Sequence, residues 1–165
     1  MKRLWAAWRM KYIAKAAHDA GCVFCNELNK NDGVDNLIVM RAEFAFVILN
    51  KFPYTSGHLM VAPLIHKATL EELDPPTRAE MMELASRCMA VLRTVYNPHA
   101  FNLGANIGEA AGAGVPGHVH LHIVPRWTGD TNFMSTLGDV RVIPEELGTS
   151  YHRIKTAWEV LPVSE

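Results

Sequence analysis

No stretch of this 165-residue chain is apolar for long enough to cross a bilayer as a helix. The opening Met1-Lys2-Arg3 has the charge of a secretory leader, but Arg9 and Lys11 interrupt the apolar stretch behind it before a leader core can form. The reading is a cytoplasmic protein with no membrane partner. Charge of one sign is also missing. With 16 basic and 17 acidic residues and a net charge of -1, no bulk field favours nucleic acid, so any anion site must be built locally. Cysteine is scarce: three residues are too few, and odd in number, for a disulfide scaffold. Two of them form Cys22-Val23-Phe24-Cys25, half of a metal site by its spacing, and the third, Cys88, reads as a buried small hydrophobe. Repeats, low-complexity tracts and a Gly/Ser/Pro-rich linker are all lacking. The expectation is one domain over 1–165, comprising an aromatic arm at 1–21, a core at 22–130 and an extension at 131–165.

What is there is a hydrophobic fraction of 49%, enough for a packed core. Leu37–Met40 and Phe44–Leu49 are short apolar runs joined by Arg41-Ala42-Glu43 and predict two antiparallel strands. His58–Pro63 predicts a third after a loop containing Pro53, Ser56 and Gly57. The period then changes. Met81, Leu84, Ala85, Cys88, Val91, Leu92 and Val95 recur at helical spacing, from a cap at Asp74 or Thr77 to a stop at Asn97-Pro98. Phe101–Ala105 and His118–Pro125 predict two more strands, with a further strand at Val140–Ile143 and a short helix at Ile154–Val160. The aromatic segment Leu4–Ile13 is expected to pack on the domain or on a partner subunit. The fold class is α+β, an antiparallel β-meander of about five strands with one long helix inserted.

Chemistry concentrates in Gly117-His118-Val119-His120-Leu121-His122-Ile123-Val124-Pro125. Alternation along a strand projects His118, His120 and His122 together on a solvent-side stripe and turns Val119, Leu121 and Ile123 into the core. Such a stripe suits either metal ligation or covalent catalysis by the central imidazole. No acid lies between Glu109 and Asp130 to complete a hydrolytic metal centre, while the loop Asn106–Gly117 is rich in the small residues that let backbone N–H groups approach phosphate. It lacks the Lys-Ser/Thr ending of a Walker loop. Arg126 at the strand end reads as a structural charge, and His18, His99 and His152 as surface residues.

His118 through Val124 resembles the His-φ-His-φ-His-φ-φ motif of the histidine-triad (HIT) superfamily. Leu49-Asn50, Gly57-His58-Leu59-Met60-Val61 with Pro63, and Asn102–Gly108 extend the likeness over roughly 22–130. The segments Leu4–Ile13, Pro125–Phe133 and Val142–Glu145 are similar to the branch that contains the bacterial diadenosine tetraphosphate phosphorylases. The resemblance implies a nucleotide hydrolase or nucleotidyltransferase in which His120 attacks the α-phosphorus to form a nucleotidyl-histidine. His122 would contact the phosphate and assist the leaving group. Asn50 would meet the ribose, Asn106 with the backbone of Gly114 and Val115 would hold the α-phosphate, and His58 would support the site. The chain has Gly114 where many members carry Gln or Ser, and Gly117 where that branch often carries an acid, leaving backbone donors for the leaving-group phosphates.

The resemblance also completes the cysteine half-site. Cys22, Cys25, His66 and His118 would form a closed tetrahedral site for structural Zn²⁺, with no organic cofactor required. It further implies a homodimer whose sheets join across a two-fold axis. Three alternatives stay open: a phosphoramidate hydrolase, a nucleotide-binding module without turnover, and a metal-dependent hydrolase with all three histidines on the metal.

Overall fold

The computed structural model describes residues 21–130 and 145–162. Its elements run α1 (Val23–Leu28), β1 (Ile38–Arg41), β2 (Ala45–Leu49), β3 (Leu59–Pro63), α2 (Pro75–Tyr96), β4 (Ala100–Gly104), a 3-10 turn (Glu109–Ala111), β5 (Leu121–Arg126) and α3 (Leu147–Val160). The five strands form one antiparallel sheet in the order β1-β2-β3-β5-β4. β5 therefore lies between β3 and β4, paired on both sides. Four strands and the long helix follow the apolar patterning of the sequence to within a residue or two.

Three elements differ from the expectation. The cysteine pair belongs to a helix, α1, whose six residues are too few for a helical period to show in sequence. The triad strand starts at Leu121 rather than His118, because Val119 N–H donates to the Lys67 carbonyl (2.7 Å) instead of continuing the ladder. At the other end, α3 begins seven residues before the expected Ile154. The aromatic arm and the strand expected at Val140–Ile143 lie outside the described residues.

Register assigns the faces. Ile48 pairs with Met60 and Met60 with His122, so these three share one face of the sheet with Phe46. Phe24 of α1 packs there, edge-on to Phe46 at 6.3 Å between ring centroids. Leu49, of opposite parity, lines a cavity of about 200 Å³ with Gly57, Leu147 and Ser150, which places α3 on the other face. β2 and β3 are buried along their whole length because both faces are covered.

Helix α2 is set by its ends. Asp74 accepts the Thr77 N–H at 2.9 Å, Pro75 occupies the first turn, and Asn97 closes the helix in the left-handed conformation at φ 45°. Its buried stripe is Met81, Leu84, Ala85, Cys88, Val91 and Leu92. Gly57, at φ +78°, brings the chain so close to α2 that a Cβ there would sit 2.7 Å from the Tyr96 ring. On the far edge, Tyr151 Oη and Lys155 Nζ of α3 donate to the carbonyls of Ile38 and Val39 (3.1 and 2.8 Å), closing the β1 edge against further pairing.

Glu80 fastens α2 to the β1–β2 turn by accepting from the backbone N–H groups of Glu43, Phe44 and Ala45 (3.2, 2.7 and 2.8 Å). Hydrogen bonds to a charged acceptor exceed neutral ones. Replacing Glu80 by Ala is expected to cost about 2 kcal/mol in urea unfolding. A change under about 0.5 kcal/mol, the range of an ordinary surface substitution, would mean that water replaces the carboxylate without loss.

Candidate active site and metal-ligand cluster

His118 and His120 lie on the chain entering β5, and His122 lies within the strand. The expected solvent-side stripe is instead covered at two of its three positions: His118 is 0% and His120 4% exposed, while His122 is half-buried. The reason is α1, whose Phe24 sits 5.2 Å from the His118 ring and 4.9 Å from the His120 ring.

Each imidazole has its tautomer set by an unambiguous partner. The Nδ1–H of His120 donates to the His118 carbonyl at 2.8 Å, so in the neutral ring the lone pair resides on Nε2. Burial lowers the His120 pKa, against the opposing pull of that hydrogen bond, and favours the neutral ring. His118 donates from Nε2 to the Pro63 carbonyl at 2.9 Å, which leaves its Nδ1 lone pair facing the two thiols.

His58 proves to be part of the same network. Its Nδ1 accepts from the Tyr54 N–H at 3.1 Å and from Asn50 Nδ2 at 3.2 Å, while the Asn50 Oδ1 accepts the Phe52 N–H at 2.9 Å and so fixes the amide orientation. The remaining His58 hydrogen, on Nε2, is donated to His122 Nδ1 at 3.0 Å. A neutral His122 then carries its own hydrogen on Nε2. Burial, then the nearby His122 and His120, pull the His58 pKa from 6.5 down to about 3. The Tyr54 ring lies over His58 (4.6 Å) and stacks on His122 (6.0 Å), a contact that the residue order alone does not reveal.

A second cluster adjoins the first. Cys22 Sγ lies 3.3 Å and Cys25 Sγ 3.7 Å from His118 Nδ1, and Cys25 Sγ lies 3.4 Å from His66 Nδ1. All four donor atoms fall within 4.8 Å of one another. Tetrahedral bonds of about 2.0–2.3 Å give ligand–ligand edges of about 3.3–3.8 Å, close to the three contacts here. Burial alone would raise the Cys22 pKa, but its interactions with His118 and with Cys25 outweigh that and bring it down to about 6. Burial and the neighbouring Cys22 raise that of Cys25. Two sulfurs and two imidazole lone pairs form a donor set that could hold a metal ion, soft enough for zinc. Among the described residues, the one group with such spacing is this one, and His120 and His122 are outside it. Geometry thus separates the first triad histidine from the other two.

The glycine-rich loop carries Asn106, Gly114 and Val115. The β4–β5 register pairs Gly104 with His122, and continued by two residues it would set Asn106 opposite His120. Val115 is tied to the triad by its carbonyl, which accepts the His118 N–H at 3.3 Å. Gly114 is half-buried in the same segment. Arg126 is engaged by Asp130 (2.5 Å) and by Asn102 Oδ1 (2.7 Å), a structural charge as read from sequence. His99 and His152 are exposed, and His18 lies outside the described residues. No helix among the described residues is long and apolar enough to cross a membrane.

A sheet with this strand order, clustered imidazoles on an inner strand and a glycine-rich loop before it defines a class: residues 31–129 match the HIT domain model, and the chain belongs to that family. The AP-4-A phosphorylase of Mycobacterium tuberculosis (strain ATCC 25618 / H37Rv) is 34% identical over 98% of this chain and 87% of its own length. The asymmetrical bis(5'-nucleosyl)-tetraphosphatase of Schizosaccharomyces pombe is 30% identical over 59% of this chain and 53% of its own. Among solved structures, a Zn-bound histidine triad family protein from Mycobacterium smegmatis superposes with a TM-score of 0.68 at 28% identity. That match covers 84% of this chain and 94% of the other.

The His58 environment fixes a pH dependence. An unfolded chain protonates this residue below about pH 6.5, whereas the folded chain resists until about pH 3, so folding stability falls as pH drops through that window. In urea unfolding between pH 6 and pH 4, His58→Gln should lessen the slope by about 1.4 kcal/mol per pH unit relative to wild type. Parallel slopes would show that burial does not hold His58 neutral.

Proposed function

We propose that the chain is a nucleotide hydrolase or nucleotidyltransferase that cleaves at the α-phosphate of dinucleoside polyphosphates such as diadenosine tetraphosphate. The observation that carries this is the hydrogen bond from His120 Nδ1 to the His118 carbonyl, which leaves a neutral imidazole with its lone pair on Nε2. In that state the ring is a nucleophile without further activation. Attack forms a bond from Nε2 to the α-phosphorus, and the bond to the bridging oxygen breaks with its electron pair leaving on the polyphosphate. Water or inorganic phosphate then displaces the nucleotidyl group from His120.

His122 acts as a hydrogen-bond donor at the bridging oxygen through Nε2–H, its Nδ1 being engaged by His58. A polyphosphate departs as an anion and needs that hydrogen bond more than a transferred proton. The amine of a phosphoramidate must be protonated to leave, which a neutral donor does poorly. Asn50, whose amide is already held by Phe52 and His58, meets the ribose, and Asn106 with the backbone at Gly114 and Val115 receives the α-phosphate. Zn²⁺ would be held by Cys22, Cys25, His66 and His118, where it cross-links α1, the end of β3 and the approach to β5. With four protein ligands its coordination would be closed, and it would serve folding and the orientation of the triad strand rather than the transfer. The exposed β4 edge, with Leu103 42% exposed, is the surface through which a homodimer would extend the sheet. Residues 1–165 act as one cytoplasmic domain.

The decisive experiment incubates purified protein with diadenosine tetraphosphate, with and without inorganic phosphate, alongside His120→Ala. Phosphate-dependent ADP and ATP identify a phosphorylase, and AMP without phosphate a hydrolase. The alanine variant is expected to lose at least about 1,000-fold in rate. Survival of diadenosine tetraphosphate with turnover of adenosine phosphoramidate would replace the substrate class, and equal behaviour of wild type and variant would leave a binding module.

Metal content tests the second cluster. Purified wild type should carry one zinc per chain by elemental analysis, and Cys22→Ser should lose it, with a melting temperature several degrees lower. Zinc retained at one equivalent in Cys22→Ser would move the metal away from the thiol cluster.

A further inference from the structure

The hydrogen bond to the His118 carbonyl fixes one atom of the His120 ring and leaves its plane free to tilt about that point. Two neighbours bound the plane. Phe24 lies on one contact at 4.9 Å and an interplanar angle of 52°, and His122 on another at 4.8 Å and 69°. Phe24 is itself only 3% exposed and also touches the His118 ring and Phe46. The helix that carries it is held at both ends. Cys22 and Cys25 tie its first turn to His118 and His66, and at its last turn Asn36 Nδ2 donates to the Glu27 carbonyl (3.2 Å) and Arg41 to the Leu28 carbonyl (2.9 Å). Asn36 is 1% exposed and also accepts from the Gly33 and Ile38 N–H groups, so this second anchor is rigid. A core phenylalanine needs none of this to bury its ring.

We propose that Phe24 is a positioning residue for the nucleophile, a wall that the anchored α1 turn presses against His120 so that Nε2 keeps the direction of attack. The inference rests on the nucleotidyl-transfer reading for its kinetic consequence. The Cys-x-x-Cys spacing serves this wall as well as the metal, because the ring that meets His120 lies between the two thiols in sequence. Displacement of a reacting atom by about 1 Å costs on the order of 100-fold in rate, so loss of one wall should act on turnover rather than on binding.

The test compares Phe24→Ala and Phe24→Leu with wild type in zinc content, in kcat and KM for diadenosine tetraphosphate, and in the ¹H–¹⁵N NMR signals of the His120 ring. The expected result is full zinc content in both variants. In Phe24→Ala, kcat falls about tenfold or more and KM changes less than about threefold, and the Nδ1–H of His120 loses its protection from exchange. Phe24→Leu, which keeps most of the buried volume, should fold even if the alanine variant does not and should lie between it and wild type. Unchanged kcat and an unchanged His120 signal would overturn the proposal. So would KM rising in step with a falling kcat, which would make Phe24 a substrate contact, or zinc lost from both variants, which would make it a builder of the cluster. His120→Ala is run alongside. If that variant matches wild type, the nucleotidyl-transfer reading has failed separately, and the ring signal alone decides for Phe24.

Discussion

His118 is the residue on which both clusters depend. Its Nε2–H goes to the Pro63 carbonyl, its Nδ1 faces the two thiols, and its own carbonyl accepts from His120 Nδ1. One buried residue therefore links the end of β3, the α1 turn and His120. None of its three interactions can be moved without the others, since they issue from a single ring and the adjoining peptide. That is also why the side chain must be histidine: it supplies a donor on one side and a metal-binding lone pair on the other, which no other neutral side chain does at this distance apart.

The structure follows local rules where local rules are strong. Helix α2 has a long apolar stripe, a cap at Asp74 and a stop at Asn97-Pro98, and its limits were legible residue by residue. The strands were legible as apolar runs, though the order β1-β2-β3-β5-β4 was not, because pairing β5 between β3 and β4 is a matter of tertiary contact. The glycine-rich loop marks the approach to the triad in both sequence and structure. Helix α1 escaped notice for lack of length: one and a half turns leave no period to detect.

The site divides along similar lines. Three alternating histidines pointed to a cluster of imidazoles, and the cysteine pair to half of a group that could hold a metal ion. That His58 joins the relay could not be deduced from its neighbours in the chain, since its partner His122 is 64 residues away. Burial of His118 and His120 was misread because alternation tells which side chains share a face, not what covers that face. Here the cover is Phe24, a residue that in sequence is only the spacer between two cysteines. The aromatic at Tyr54 was likewise hidden, as its backbone N–H and its ring both serve His58, four residues on.

Gly57 has a mechanical consequence. Its missing side chain lets the Tyr96 and Leu92 side chains of α2 press directly on the backbone beside His58. Tyr96 is in turn gripped by α3 and the residues before it, through Glu145 at its hydroxyl and Arg153 over its ring at 4.8 Å. A continuous line of contact thus runs from α3 through Tyr96 to the backbone beside His58. A side chain added at position 57 would therefore have to displace α2 or the backbone that carries His58, so the packing of the back wall and the placement of the imidazoles share one close approach.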